Sequence, residues 1–215
     1  MERTRSVEVR RNVLERIRAS SALTGILSGE RSREIYIEYL MNVWHYAQHS
    51  AVVIGMAGAR AVPENPKLAD YLLHHAREEL GHEQWALQDL AALGIGGEKV
   101  KASRPVTSCA AMIGYEYYVA GHANPVGLFG WLYVLESMGD DLGHVVSQHI
   151  GDNLGLKSAV KFLAGHGEAD EAHTADLTVQ ISDNVRPEDR PDVHHVADVI
   201  AELYTGMFEE IGQRA

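Results

Sequence analysis

His166, Asp170 and His173 stand four and three positions apart, a spacing that puts their side chains on one face of a helix. Leu163 extends that face on one side, and Leu177 and Ile181 extend it on the other. Two imidazoles and a carboxylate therefore interrupt an apolar stripe. A buried polar group without a partner costs roughly several kcal/mol, and one metal ion would satisfy all three. Mixed imidazole and carboxylate ligation suits iron, manganese or zinc. For each histidine taken singly, the competing reading is a hydrogen-bonded group on a solvated face.

The same oddity occurs upstream. Leu68, Leu72, His75, Glu79, His82, Ala86 and Leu90 step by three or four and share a helical face. Glu79 and His82 form an E-x-x-H pair whose side chains point the same way, with His75 one turn before them. Glu78 and Glu83 lie beside the face, in solvated or supporting positions. Glu136 is a lone carboxylate in the apolar run 127–138, costly in a core unless paired or protonated. The set Glu79, His82, Glu136, His166, Asp170 and His173 offers three carboxylates and three imidazoles. One ion takes about four to six ligands, so six protein ligands with bridging carboxylates suit two. Zinc prefers fewer, softer ligands, whereas this set with open positions points to iron first and manganese second.

The elements that must carry these groups are helices. Long alternating β-branched runs and Asn-Gly or Asp-Gly hairpins are lacking, and helical spacing recurs throughout, so the fold class is all-α. Helices are expected over 7–18, from Ser32 to Ala59, from Pro66 to Gly94, and from a Thr107 cap to Ala120. Others begin near Pro125, run through the His166 segment to about Asp183, and extend from the Pro187–Pro191 region to Ile211. Gly94 to Pro105 reads as a loop.

The chain of 215 residues is long enough for one domain with a sizeable core, 1–215. A net charge of −11 without an offsetting basic patch argues against nucleic acid. A single cysteine, Cys109, excludes an internal disulfide framework and fits a reducing compartment. No apolar run reaches the roughly 20 residues a bilayer span needs, and the N-terminus lacks a secretory h-region. A cytoplasmic protein that engages no membrane is expected.

A Glu/His helix, a lone Glu more than fifty residues on, and then H-x-x-x-D-x-x-H resemble the heme-oxygenase-like diiron oxidases, iron-containing redox enzymes related to the TenA and PqqC folds. The resemblance covers about residues 32–183 and includes His75 to Trp85 and Val134-Leu-Glu136. It implies a heme-oxygenase-like bundle of about seven helices, with two ferrous ions that react with dioxygen inside it. His82, Glu136, His166, Asp170 and His173 match family ligands. At the first ligand the sequence departs from the pattern: some members have Glu seven residues before the His, where His75 stands here, so Glu79 or His75 fills that role. The resemblance also implies that Tyr36, His45, Tyr46 and His49 of the second helix wall the substrate pocket. Diferrous charge over three carboxylates leaves about one positive charge, favouring a small carboxylate-bearing metabolite of amino acid or fatty acid type. The partners expected are that substrate and dioxygen, with a homodimer as the assembly. The alternative is a non-catalytic, regulatory relative that kept the fold and a structural metal.

Overall fold

The computed structural model describes residues 2–29 and 31–215; for 2–4, 6 and 167–172 it describes the helical backbone alone. Among the described residues the regular elements are all helical. They are α1 (Glu2–Ala19), α2 (Ser21–Ser28), α3 (Ser32–Ala61), α4 (Pro66–Glu78), α5 (Glu83–Ala92), α6 (Gly97–Ala102), α7 (Thr107–Gly121), α8 (Leu128–Met138), α9 (His144–Gln148), α10 (Lys161–Asp183) and α11 (Arg190–Arg214). These are more segments than the seven or so expected, for identifiable reasons. Ser20 accepts from the Leu23 N–H, and Gly29 at φ +85° ends the helix, so 21–28 folds as a separate turn-bounded piece. The stretch expected as a loop after Gly94 contains α6. The expected helix from Pro66 to Gly94 is broken at 79–82.

Caps reach across the bundle. Asn65 accepts from the Leu68 N–H ahead of Pro66, starting α4. Thr107 does not cap α7; Glu210 of α11 does, accepting from the Thr107 and Ser108 N–H groups at 2.8 and 2.9 Å. Asp89 of α5 receives the Lys161 and Phe162 N–H groups at 2.9 and 2.8 Å, fixing the start of α10 from outside.

α3 is the spine, packing against α4, α5 and α7, while α8 lies between α10 and α11. α8 and α11 meet closely at Gly130, where a Cβ would run into the Val193 carbonyl and the Ala197 N–H of α11. Glu136 is thus carried on a helix pinned from behind. After α8 the chain passes through π-helical turns at 139–143 and 149–153, which widen the helix just past Glu136. Arg10 of α1 holds the first of these turns through Asp140 and Asp141, with contacts at 2.7 Å. No described helix is long and apolar enough to cross a membrane.

Candidate metal centre

The break at 79–82 sets the geometry on the α4 side. Gly81 takes φ +93°, a left-handed conformation that a residue with a Cβ rarely adopts, and Leu80 turns out to solvent. Glu79 and His82 therefore face each other across a turn, with His82 Nδ1 3.2 Å from Glu79 Oε1. His75, one helical turn earlier, is 2 % exposed. From α8, Glu136 brings Oε1 to 2.9 Å from His75 Nε2. From α10, His166 crosses the His82 ring edge-on at 4.9 Å, and His173 crosses the His75 ring at 5.1 Å.

Two clusters result, His75–Glu136–His173 and Glu79–His82–His166, each with its ligand atoms within 4.8 Å of one another. His75 and Glu79, read from sequence as alternatives for one role, are both present, one in each cluster. Of the other expected ligands, His82, Glu136, His166 and His173 all join these clusters, while the Asp170 side chain lies outside the described residues. Glu78 is closer to the site than expected, 3.8 Å from His75 and 3.9 Å from His173.

Three observations fit a metal centre. Both Glu136 oxygens and His82 Nδ1 are cut off from solvent without a hydrogen-bond partner, although a carboxylate or imidazole atom lies 2.9 to 3.2 Å away. Buried polar atoms without partners are rare in folded proteins, and atoms so close yet off the hydrogen-bond direction converge as ligands of one ion do. His166 Nδ1 lies 3.0 Å from the Phe162 carbonyl. A carbonyl can only accept, so that nitrogen carries the proton and Nε2 keeps its lone pair for the site. The donor set, nitrogen and oxygen without thiolate, is the kind that iron or manganese accepts.

The carboxylates titrate in opposite senses. Burial raises the Glu136 carboxyl above the ordinary range, against the pull of His75 and His173. Burial also pushes Glu79 up, but His82, His166 and His75 outweigh it, and the group ends below its ordinary value. Burial lowers His166 and keeps its imidazole neutral, as a ligand must be. For His75, burial lowers and Glu136 raises, with a net rise.

His75, Glu79, Glu136 and His166 line one end of a cavity. The remaining wall is mostly apolar and includes Leu23, Ile26, Leu132 and Phe208, with polar tips from Tyr39, Tyr46 and Tyr204. Of the four expected pocket residues, only Tyr46 lines it. Tyr36 is buried elsewhere and donates to the Ala159 carbonyl at 2.7 Å. His45 and His49 turn to the α7 side, where His45 Nε2 is 2.9 Å from Ser103 Oγ and His49 Nδ1 3.0 Å from the Tyr117 hydroxyl. The reason is helical phase. Tyr39, Tyr46 and Ser50 of α3 share the cavity face, whereas positions 45 and 49 lie about 100° away from it. Tyr39 also lines the cavity, and the seven-residue step from Tyr39 to Tyr46 is a signal for it; Tyr204 comes from α11 and no local spacing marks it.

A family model described as iron-containing redox enzyme matches residues 37–205. A domain of unknown function from Shewanella denitrificans with a heme oxygenase-like fold superposes with TM-score 0.87 at 25% identity, covering 96% of this chain and 90% of that one. A TenA homologue from Pseudomonas syringae pv. tomato gives TM-score 0.80 at 15% identity over 100% of this chain and 93% of its own. A TenA homologue from P. horikoshii gives 0.75 at 15% identity over 100% of both. The latter two likenesses are of fold. No curated protein matches the chain.

Proposed function

This chain belongs to the family of iron-containing redox enzymes, and from that premise we propose that it is a diiron oxidase or oxygenase acting on a small carboxylate-bearing molecule. The observation that carries the proposal is the pair of three-residue clusters from α4, the 79–82 turn, α8 and α10, four of whose members open into one cavity. Two irons would be held by His75, Glu136 and His173 and by Glu79, His82 and His166; manganese is the second choice. When bound, ferrous iron supplies electrons to dioxygen and positive charge to an anionic ligand.

The chain's own residues do the rest. The Phe162 carbonyl fixes which nitrogen His166 offers. Apolar walls keep water from the buried carboxylates and strengthen each charge interaction there. The Tyr46 phenol is buried, held neutral mainly by burial and hydrogen-bonded to Tyr204; by exchanging that partner it can donate to a substrate oxygen. Among the described residues no Lys or Arg lines the cavity, so an anionic headgroup would find its opposite charge at the metal ligands. Among the described residues the lining carboxylates are Glu79 and Glu136, both in the metal clusters, which leaves none to pair an ammonium. The lining thus favours a substrate of fatty acid type, one carboxylate with an apolar body, over an amino acid.

The test is oxygen uptake by anaerobically iron-loaded protein exposed to dioxygen with and without a panel of aliphatic carboxylic acids. Uptake accelerated by an acid of suitable length supports the proposal. Iron that binds but consumes no oxygen with any acid favours the non-catalytic metal-binding reading.

A further inference from the structure

Glu78, at the end of α4, joins the protein surface to one of the buried clusters. Its two carboxylate oxygens face different ways. Oε1 lies 3.2 Å from His74 Nε2, while Oε2 lies 3.8 Å from His75 Nδ1 and 3.9 Å from His173 Nε2. His75 and His173 are two members of a three-residue cluster, and the third, Glu136, has both oxygens buried and unpartnered. Exposure rises along this line. The side chains are 3% exposed at His75, 25% at His173, 39% at Glu78 and 59% at His74. The cavity is a different approach to the same cluster: His75 and Glu136 line it, whereas His173 and Glu78 are not among its lining residues. A hydrated divalent cation crossing the apolar cavity walls would shed water without gaining ligands, which is costly for a charge. On the Glu78 side it would exchange waters for a carboxylate oxygen and then for an imidazole nitrogen, donors that ferrous iron accepts. The net charge of −11 favours the approach of a cation from solvent. At 3.8 and 3.9 Å, Oε2 is too far to hydrogen-bond either ring, so Glu78 does not lock an imidazole in place as a supporting carboxylate does.

We propose that Glu78 is the loading carboxylate of the metal centre, a transient ligand that takes ferrous iron from solvent beside His74 and hands it, by way of His173, to the His75–Glu136–His173 cluster. Metal and substrate then enter by separate routes, the ion past Glu78 and the substrate through the cavity. The inference rests on the metal-centre reading above and adds to it a residue outside both clusters. The ion stays ferrous throughout, and each step exchanges one ligand for another. A carboxylate that binds the ion only in passage lowers the barrier equally in both directions. Its removal therefore slows uptake and release by the same factor and leaves affinity alone. Removal of a resident ligand instead lowers affinity.

The test is the rate at which the iron-free full chain takes up ferrous iron under anaerobiosis, read by timed addition of a coloured ferrous chelator that captures iron not yet enclosed. The reverse rate is read from iron-loaded protein in excess chelator. In Glu78→Gln, one iron of the two is expected to enter and leave about 10-fold more slowly than in wild type, the effect of about 1.4 kcal/mol on a barrier. Two irons should still bind at saturation, with affinity within about 2-fold of wild type. Glu78→Asp, which keeps the carboxylate on a shorter stem, is expected between the two. Glu98→Gln removes the same charge from an exposed carboxylate of α6 and is expected at the wild-type rates. A Glu78→Gln chain with wild-type rates overturns the proposal. So does one that holds a single iron or binds iron about 10-fold more weakly, since Glu78 would then be a resident ligand. A wild type that takes up no iron refutes the metal centre itself and this inference with it, so the two failures are told apart.

Discussion

Replacing Asp89 by alanine removes both acceptors that hold the start of α10, the helix carrying His166 and His173. The Asp89 oxygens sit 2.9 and 2.8 Å from the Lys161 and Phe162 N–H groups, and the side chain is completely buried. Losing an N-cap costs about 0.5–2 kcal/mol, and leaving a buried donor unpaired costs about 1–3 kcal/mol. The Phe162 N–H is buried and would be left without a partner, so a loss of about 3–4 kcal/mol is expected, at the upper end of the capping range plus one unpaired donor. For a chain of this size each kcal/mol shifts Tm by about 2–4 °C, so Tm should fall by about 10 °C. Asp89→Asn keeps one acceptor but points an amide N–H at the other donor, and should fall between the two. Calorimetry on iron-free protein is the cleaner assay, because bound metal adds its own stabilisation. The α10 ligands should loosen too, so Asp89→Ala should weaken iron binding although it touches no ligand atom. A fall of less than about 3 °C, equivalent to about 1 kcal/mol, would refute the reasoning.

Two further outcomes follow from the same geometry. Burial pushes the Glu210 carboxyl up, but its bonds to Ser108 and Thr107 outweigh that and leave it below its ordinary value. A carboxyl depressed in the fold stabilises above its unfolded pKa of about 4.3 and loses that contribution as pH falls through the folded value. Glu210→Gln should therefore be less stable than wild type at pH 7 and approach it in acid, as read from urea midpoints between pH 7 and 3. In the cavity, Tyr46→Phe should leave iron content unchanged and raise the KM for the stimulating acid about 2- to 10-fold, the loss of one hydrogen bond of about 0.5–1.5 kcal/mol. His45→Ala, on the other side of α3, should leave that KM unchanged.

The helical class was legible because the apolar spacing is regular: α3 was expected over 32–59 and runs to Ala61, and α7 was expected to Ala120 and ends at Gly121. The break at 79–82 was not, because Leu68, Leu72, Ala86 and Leu90 keep helical phase across it. Gly81 alone marked the place where φ turns positive. His75 and Glu79, one helical turn apart with the Glu79 N–H bonded to the His75 carbonyl, both face the site, and the break sets how His82 meets Glu79. Of the wall expected at Tyr36, His45, Tyr46 and His49, Tyr46 lines the cavity; positions 45 and 49 lie out of phase with the cavity face of α3, and Tyr36 is drawn to the Ala159 carbonyl of a segment distant in the chain. The caps supplied by Asp89 and Glu210 were also illegible, since each comes from an element distant in the chain.

The number of irons, and which cluster holds each, decides most directly whether this is a diiron centre. Anaerobic ferrous titration with elemental analysis of wild type, His75→Ala and His82→Ala measures both. Two irons in the wild type, with each variant keeping about one at the same concentration, is the predicted result. A wild type that saturates at one iron, or variants that still hold two, would contradict it.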